Sequence, residues 1–230
     1  MNRIGKFVIL DFISIKPDLR IWDVLLYIAL GIVGYLFMGV AGVAVGIAPL
    51  AANLAIYPFS AGDNGLDEFY ASMFIDRKTV VVGRHVFGLV LSAISTVILF
   101  LIGLLMSIIM DDGTSMLGFA ALLVGVFFIT TAIDFINLPI LFKMGFKKSR
   151  TFSTMLPMAF VVVLAAVIFI QGIDYTQVFT DMINEAGEIL VYGGIEANMV
   201  ALVLTAFALW LVMLFGSILL SYAFYRKRNF

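Results

Sequence analysis

The chain has 230 residues, of which 63% are hydrophobic and 13% charged. That is far more apolar surface than a water-soluble domain of this length encloses in one core, so the surplus is expected to face lipid. With no cysteine and one histidine, disulfides, thiolate metal sites, cysteine nucleophiles and His-pair metal centres are excluded, and the net charge of -1 matters less than where each charge lies.

The first predicted element is a helix within residues 1–20. Ile4, Phe7, Val8, Phe12 and Ile15 recur at helical spacing while Arg3, Lys6, Asp11 and Ser14 fall elsewhere on the wheel, the pattern of a helix lying in a membrane interface. A secretory signal peptide is the competing reading. It fails because the run Phe7-Val8-Ile9-Leu10 stops at Asp11 and no small-residue cleavage site follows.

Between Asp23 and Asp63 no charge occurs, too long a stretch for one span and suited to two, at 22–39 and 42–61, joined by a tight turn near Gly39 to Gly42. Gly42 and Gly46 form a G-x-x-x-G one turn before Pro49, a candidate close-packing face, although small residues are common in membrane helices. In the 62–85 segment, Leu66, Phe69, Tyr70, Met73 and Phe74 make one apolar stripe, with Asp63, Asp67, Glu68 and Asp76 off it. An acidic amphipathic helix is repelled by an anionic leaflet and suits a protein groove better than a lipid surface. Asp76 is placed to cap a second helix leading into the third span, and His85, beside Arg84 in this charged segment, is expected to be solvated or interfacial.

Further spans are predicted at 86–110, 117–142, 152–173 and 199–224, which makes six. In the fourth, Asp134 is the single ionisable residue deep in a span, with Thr130 at i−4 and Asn137 at i+3 on its face and Pro139 closing the stripe. One reading is a substrate or proton site in a translocation path. The other is an interhelical hydrogen-bond cluster partnered by Thr131, Asn53 or a second subunit, because a lone acid forms no relay. Between the last two spans, residues 174–198 carry Val178, Phe179, Met182, Ile183, Ala186, Ile189 and Leu190 at helical recurrence. This acidic amphipathic element reads either as a lid dipping into the outer leaflet or as an ordered connector.

Six spans place all 14 basic residues on one face. They are Arg3, Lys6, Lys16 and Arg20; Arg77, Lys78 and Arg84; Lys143, Lys147, Lys148 and Arg150; and Arg226, Lys227 and Arg228. That face is predicted to be cytoplasmic, with both termini on it, and the opposite loops carry only acids, among them Asp111, Asp112 and Asp174. The fold expected is an all-α integral membrane protein forming one transmembrane domain over 1–230. No nucleophile elbow, carboxylate pair near histidine, metal spacing or complete phosphate loop occurs, since Gly145-Phe146-Lys147-Lys148-Ser149 lacks the earlier glycine and strand of a Walker A. The chain is not expected to be an enzyme by itself or to bind a cofactor, and no nucleic-acid partner is expected.

Two motifs resemble a known family. The first runs from Asp67-Glu68 through Ser72-Met73-Phe74-Ile75-Asp76-Arg77-Lys78-Thr79-Val80-Val81 to Arg84-His85-Val86-Phe87, with Phe74 where the family usually has proline. The second is Leu138-Pro139 followed by Phe142-Lys143-Met144-Gly145-Phe146-Lys147-Lys148-Ser149-Arg150. In order and spacing these resemble the ABC-2-type permease subunits of ATP-binding-cassette transporters, especially compact six-span bacterial members such as the phenol-soluble modulin exporter permeases. The resemblance covers essentially the whole chain. It implies a connecting helix at the N-terminus and a coupling helix at Leu66–Phe74, where Leu66, Asp67, Glu68, Phe69, Tyr70, Met73, Phe74, Arg77, Lys78 and Arg84 would couple to an ATPase. It also implies two ATPase chains that bind ATP and magnesium, a second permease chain, and a bacterial cytoplasmic membrane. The expected activity is ATP-driven export of an amphipathic peptide or lipophilic compound. An ATP-independent secondary transporter using Asp134, or a non-transporting scaffold or immunity component, stands as the alternative.

Overall fold

The computed structural model describes residues 3–15, 75–110, 116–149 and 197–227, together with isolated positions from 25 to 59 and from 151 to 159. Four long helices account for most of them: α1 (Arg3–Ile15), α2 (Arg77–Met110), α3 (Met116–Met144) and α4 (Ala197–Arg226). There is no strand among the described residues. Three stretches, Arg77–Ile109, Met116–Met144 and Val203–Arg226, are long and apolar enough to cross a membrane, and they fall on the predicted third, fourth and sixth spans. The predicted spans at 42–61 and 152–173, the amphipathic segments at 66–74 and 174–198, and the Gly42/Gly46 face lie outside the described residues, apart from isolated positions. Within 22–39, Leu25, Ile28, Ala29, Ile32, Val33 and Leu36 are helical and exposed on one stripe.

The start of α2 follows from Asp76. Its Oδ1 accepts the Lys78 amide at 3.3 Å and its carbonyl accepts the Val80 amide at 3.2 Å, satisfying backbone donors that a helix start otherwise leaves open. The helix therefore begins nine residues before the predicted span, and Arg84 and His85 lie within it rather than in a loop. At 34 residues α2 is about 51 Å long, well beyond the ~30 Å of a hydrocarbon layer, so it accommodates charged residues at one end and a full span at the other. Along the span, Val90, Ile94, Val97, Ile98, Leu101, Leu105, Ile108 and Ile109 are exposed at a 3.6-residue recurrence and form a lipid-facing stripe.

Helix α3 continues past buried Pro139, which removes one backbone hydrogen bond without ending it. The stop comes at Gly145. Its φ of 75° is open to glycine but costly for a residue with a Cβ, and its amide donates to the Leu141 carbonyl at 2.9 Å, closing the last turn. Ser149 then returns its amide and hydroxyl to the Gly145 carbonyl.

α2 runs antiparallel to α3 and α4, which are parallel to each other. Phe119 packs on Gly103 and His85 on Phe135, while Phe207 pairs with Phe128 near one end and Tyr225 with Phe142 near the other. A parallel α3 and α4 is what the fifth predicted span requires.

The N-terminal helix was expected to keep Asp11 off its packed face; the structure buries it completely. Ile4, Phe7, Val8 and Phe12, the stripe expected in the interface, pack against the rest of the chain, Asp11 goes in with them, and Ile9, Leu10 and Ile13 face outward. The reason is shape. Gly83 on α2 offers a notch in which the Phe7 ring sits so closely that a Cβ there would overlap it, and seating that ring turns Asp11, four residues on, toward the same side. The outward apolar residues are at no disadvantage where the surroundings are lipid.

Candidate functional site

A polar seam runs between α2, α3 and α4, and it starts where α2 is most charged. Arg84, grouped from the sequence with the partner-facing residues, is only 1% exposed: its guanidinium lies 4.1 Å from the centroid of the Phe59 ring and 5.7 Å from that of Phe142. Nη2 also makes a long 3.4 Å hydrogen bond to the Pro58 carbonyl. A planar, weakly hydrated cation stacked on aromatic faces tolerates such enclosure better than an ammonium would. Arg84 thus faces the inside of the chain.

His85, expected to be solvated or interfacial, is only 1% exposed. Nδ1 lies 2.8 Å from the Val81 carbonyl, which can only accept, so Nδ1 carries the proton; Nε2, 2.9 Å from Ser217 Oγ, then accepts from that hydroxyl in the neutral ring. The ring also stacks on Phe135 of α3. One residue thereby touches three helices. Periodicity could not reveal this, but Ser217, Ser221 and Tyr225, all buried at i, i+4 and i+8 on α4, form the face that receives it.

The four polar residues of α3 predicted to form one cluster are all buried, and they divide by partner. Thr130 returns its hydroxyl to the Val126 and Phe127 carbonyls of its own helix. Thr131 does the same to Phe127 and Phe128, and in addition accepts the Trp210 indole N–H of α4 at 2.8 Å. Both threonines are satisfied, and Thr131, considered from the sequence as a partner for Asp134, instead ties α3 to Trp210 of α4. Around that tie, Phe128, Phe135, Phe207 and Trp210 form an aromatic cluster with centroid separations from 5.3 to 6.3 Å.

Asp134 and Asn137 differ. Each is at most 3% exposed; the amide atoms of Asn137 have no hydrogen-bond partner among the described residues, whereas the Asp134 carboxyl has the Ser92 hydroxyl as its side-chain hydrogen-bonding neighbour. Across from them on α2 stand Ser92, the polar side chain next to the Asp134 carboxyl, and Gly88, whose missing Cβ would come 3.8 Å from Asp134 Oδ2 and from the Ala55 Cβ. No cluster of three or more acidic or histidine ligands occurs among the described residues.

At the basic end, Arg77 Nη1 donates to the Arg226 carbonyl, so the start of α2 caps the end of α4 where unpaired carbonyls gather. Lys143 lies over the Phe224 ring, and Lys78, Lys147, Lys148 and Lys227 are exposed nearby in sequence. Leu66, Asp67, Glu68, Phe69, Tyr70, Met73 and Phe74 lie outside the described residues.

A family described as ABC-2 family transporter protein matches residues 6–226. No curated protein and no solved structure matches the chain.

Proposed function

The chain belongs to the ABC-2 family of transporter proteins, and from that premise we propose that it is the permease subunit of an exporter driven by separate cytoplasmic ATPase chains. The observation that carries this reading is the family match across nearly the whole chain, since a permease of this kind leaves nucleotide chemistry to a partner. In the proposed assembly two ATPases bind ATP and magnesium, and two permease chains sit in a bacterial cytoplasmic membrane with their basic ends inside.

The helix architecture supports a mechanical role for the segment before α2. Asp76 joins that segment directly to a continuous 34-residue helix, and Arg77, the first residue of α2, holds the end of α4. A push delivered at Leu66–Phe74 would reach α4 through Arg77 and again through His85 and Ser217, without crossing a flexible joint within α2. Arg84 in this scheme positions the base of α2 against Phe59 and does not touch the ATPase. The cargo proposed is amphipathic or lipophilic, in keeping with an apolar molecule that places few charges in its spans and with the resemblance to modulin exporters.

The test is reconstitution with a candidate nucleotide-binding subunit. Wild type should co-purify with it and stimulate its ATP turnover, whereas Phe69→Ala with Tyr70→Ala should lose both while still inserting in the membrane. Transport that persists in that double variant, or with no Walker A protein present, overturns the reading.

A further inference from the structure

We propose that the shared end of α3 and α4 holds the headgroup of an anionic phospholipid, with Lys143, Arg226 and Lys227 as its cations and the Phe224 ring linking the two helices. The site does not depend on the ATPase reading above. Each cation ends a row of exposed apolar side chains. On α3, Ile129, Ile136 and Lys143 recur every seven residues, close to two helical turns, and so lie near one line; on α4, Val212, Leu219 and Arg226 do the same beside Met213, Leu220 and Lys227. Both helices are long and apolar enough to cross a membrane. A row that faces acyl chains and ends in a cation puts that cation at headgroup depth, its apolar stem lying along the hydrocarbon surface.

The contacts bring these cations together. Lys143 Nζ lies 5.2 Å from the centroid of the Phe224 ring, and the Lys227 amide donates to the Phe224 carbonyl at 3.2 Å, so Phe224 joins a cation on α3 to the last turn of α4. Arg77 serves the Arg226 carbonyl from α2, so the negative end of α4 is met in part without the side chains of Arg226 and Lys227. No acid occurs from Pro139 to Ser149 or from Gly216 to Lys227. At the start of α2, Asp76 accepts the Lys78 amide. Three exposed positive charges with no carboxylate on their own segments complement a phosphodiester. Direction favours lipid over a protein partner. Lys147 and Lys148 lie beyond the Gly145 stop, where a cytoplasmic partner would approach the bundle end on, whereas Lys143, Arg226 and Lys227 continue rows that face sideways into the bilayer.

The experiment is a titration of the purified full chain in neutral detergent with dioctanoyl phosphatidylglycerol, read as lipid-bound species by native mass spectrometry. Dioctanoyl phosphatidylcholine and inorganic phosphate are separate arms. Wild type should bind phosphatidylglycerol about tenfold or more tightly than either. Lys143→Gln with Lys227→Gln should weaken that binding about tenfold or more and leave phosphatidylcholine binding unchanged, which also shows that the variant is folded. Lys147→Gln with Lys148→Gln removes the same charge beyond the helix stop and should change phosphatidylglycerol binding by less than about twofold. Equal weakening by the two double variants overturns the site and leaves general attraction to a basic protein. A wild type that does not distinguish phosphatidylglycerol from phosphatidylcholine overturns it as well. Inorganic phosphate bound as tightly as phosphatidylglycerol overturns the lipid assignment in favour of a soluble anion. Co-purification with an ATPase is a separate measurement, so the two readings fail separately.

Discussion

Gly83 and His85 sit two residues apart on α2 and hold different neighbours, one by having no side chain and the other by having two polar edges. At Gly83 an added methyl would overlap the Phe7 ring, and relief requires that ring to leave its place in the cluster with Val80, Val81 and Leu141. Gly83→Ala is expected to cost about 1–3 kcal/mol by overpacking. It should accelerate proteolysis of the α1 segment, and Phe7→Ala should restore protection in the double variant. At His85 the hydrogen bonds reach Val81 and Ser217, each contributing about 0.5–1.5 kcal/mol. His85→Ala and Ser217→Ala should therefore destabilise less in combination than the sum of the two. A double-mutant cycle on Tm that adds without coupling would mean the two side chains do not act on each other. The sequence did not disclose this tie because burial of a lone histidine depends on which helix faces it, and that partner lies 132 positions away.

At the scale of elements, the boundaries that local chemistry controls were readable. Asp76 was expected to cap a helix and does. The helix stop after Pro139 was carried in the sequence by a resemblance, and its physical content is the positive φ of Gly145. Asp76→Ala should lower stability by about 0.5–2 kcal/mol through loss of the cap. Gly145→Ala should cost about 1–2 kcal/mol for the left-handed conformation, with Gly145→Asn less affected, all read from thermal unfolding in detergent. What depends on tertiary shape was less readable. Periodicity named four of the residues that α1 packs inward but sent Asp11 the other way, because the Gly83 notch seats Phe7 and thereby turns Asp11, one helical turn on, to the packed side. The polar face of α3 was legible as a group through Asp134 and its i−4 and i+3 neighbours. Its division into threonines tied to their own backbone and to Trp210, and an acid that faces Ser92 on α2, was not, since only the positions of Trp210 and Ser92 separate them.

At the scale of the whole molecule, the sidedness expected for the 14 basic residues makes a prediction that the described helices constrain in part. α2 starts, and α3 and α4 end, at one end of the bundle, as the contacts of Arg77 with the Arg226 carbonyl and of Lys143 with Phe224 require. Lys78, Lys143, Lys147, Lys148 and Lys227 therefore belong to that end. α2 ends at Met110 and α3 starts at Met116 at the opposite end, and the only charges in the sequence between them are Asp111 and Asp112. Because positively charged loops resist translocation, the basic end should be cytoplasmic. The chain contains no cysteine, so single cysteines can be introduced without removing any native one. In intact cells a membrane-impermeant maleimide should label Asp112→Cys and leave Lys148→Cys and Lys227→Cys unmodified until the membrane is opened. Labelling of Lys148→Cys but not Lys227→Cys from outside would break the shared end of α3 and α4 that Tyr225 and Phe142 define. Labelling of both from outside would keep the bundle intact and invert it, and would place Leu66–Phe74 out of reach of any cytoplasmic ATPase.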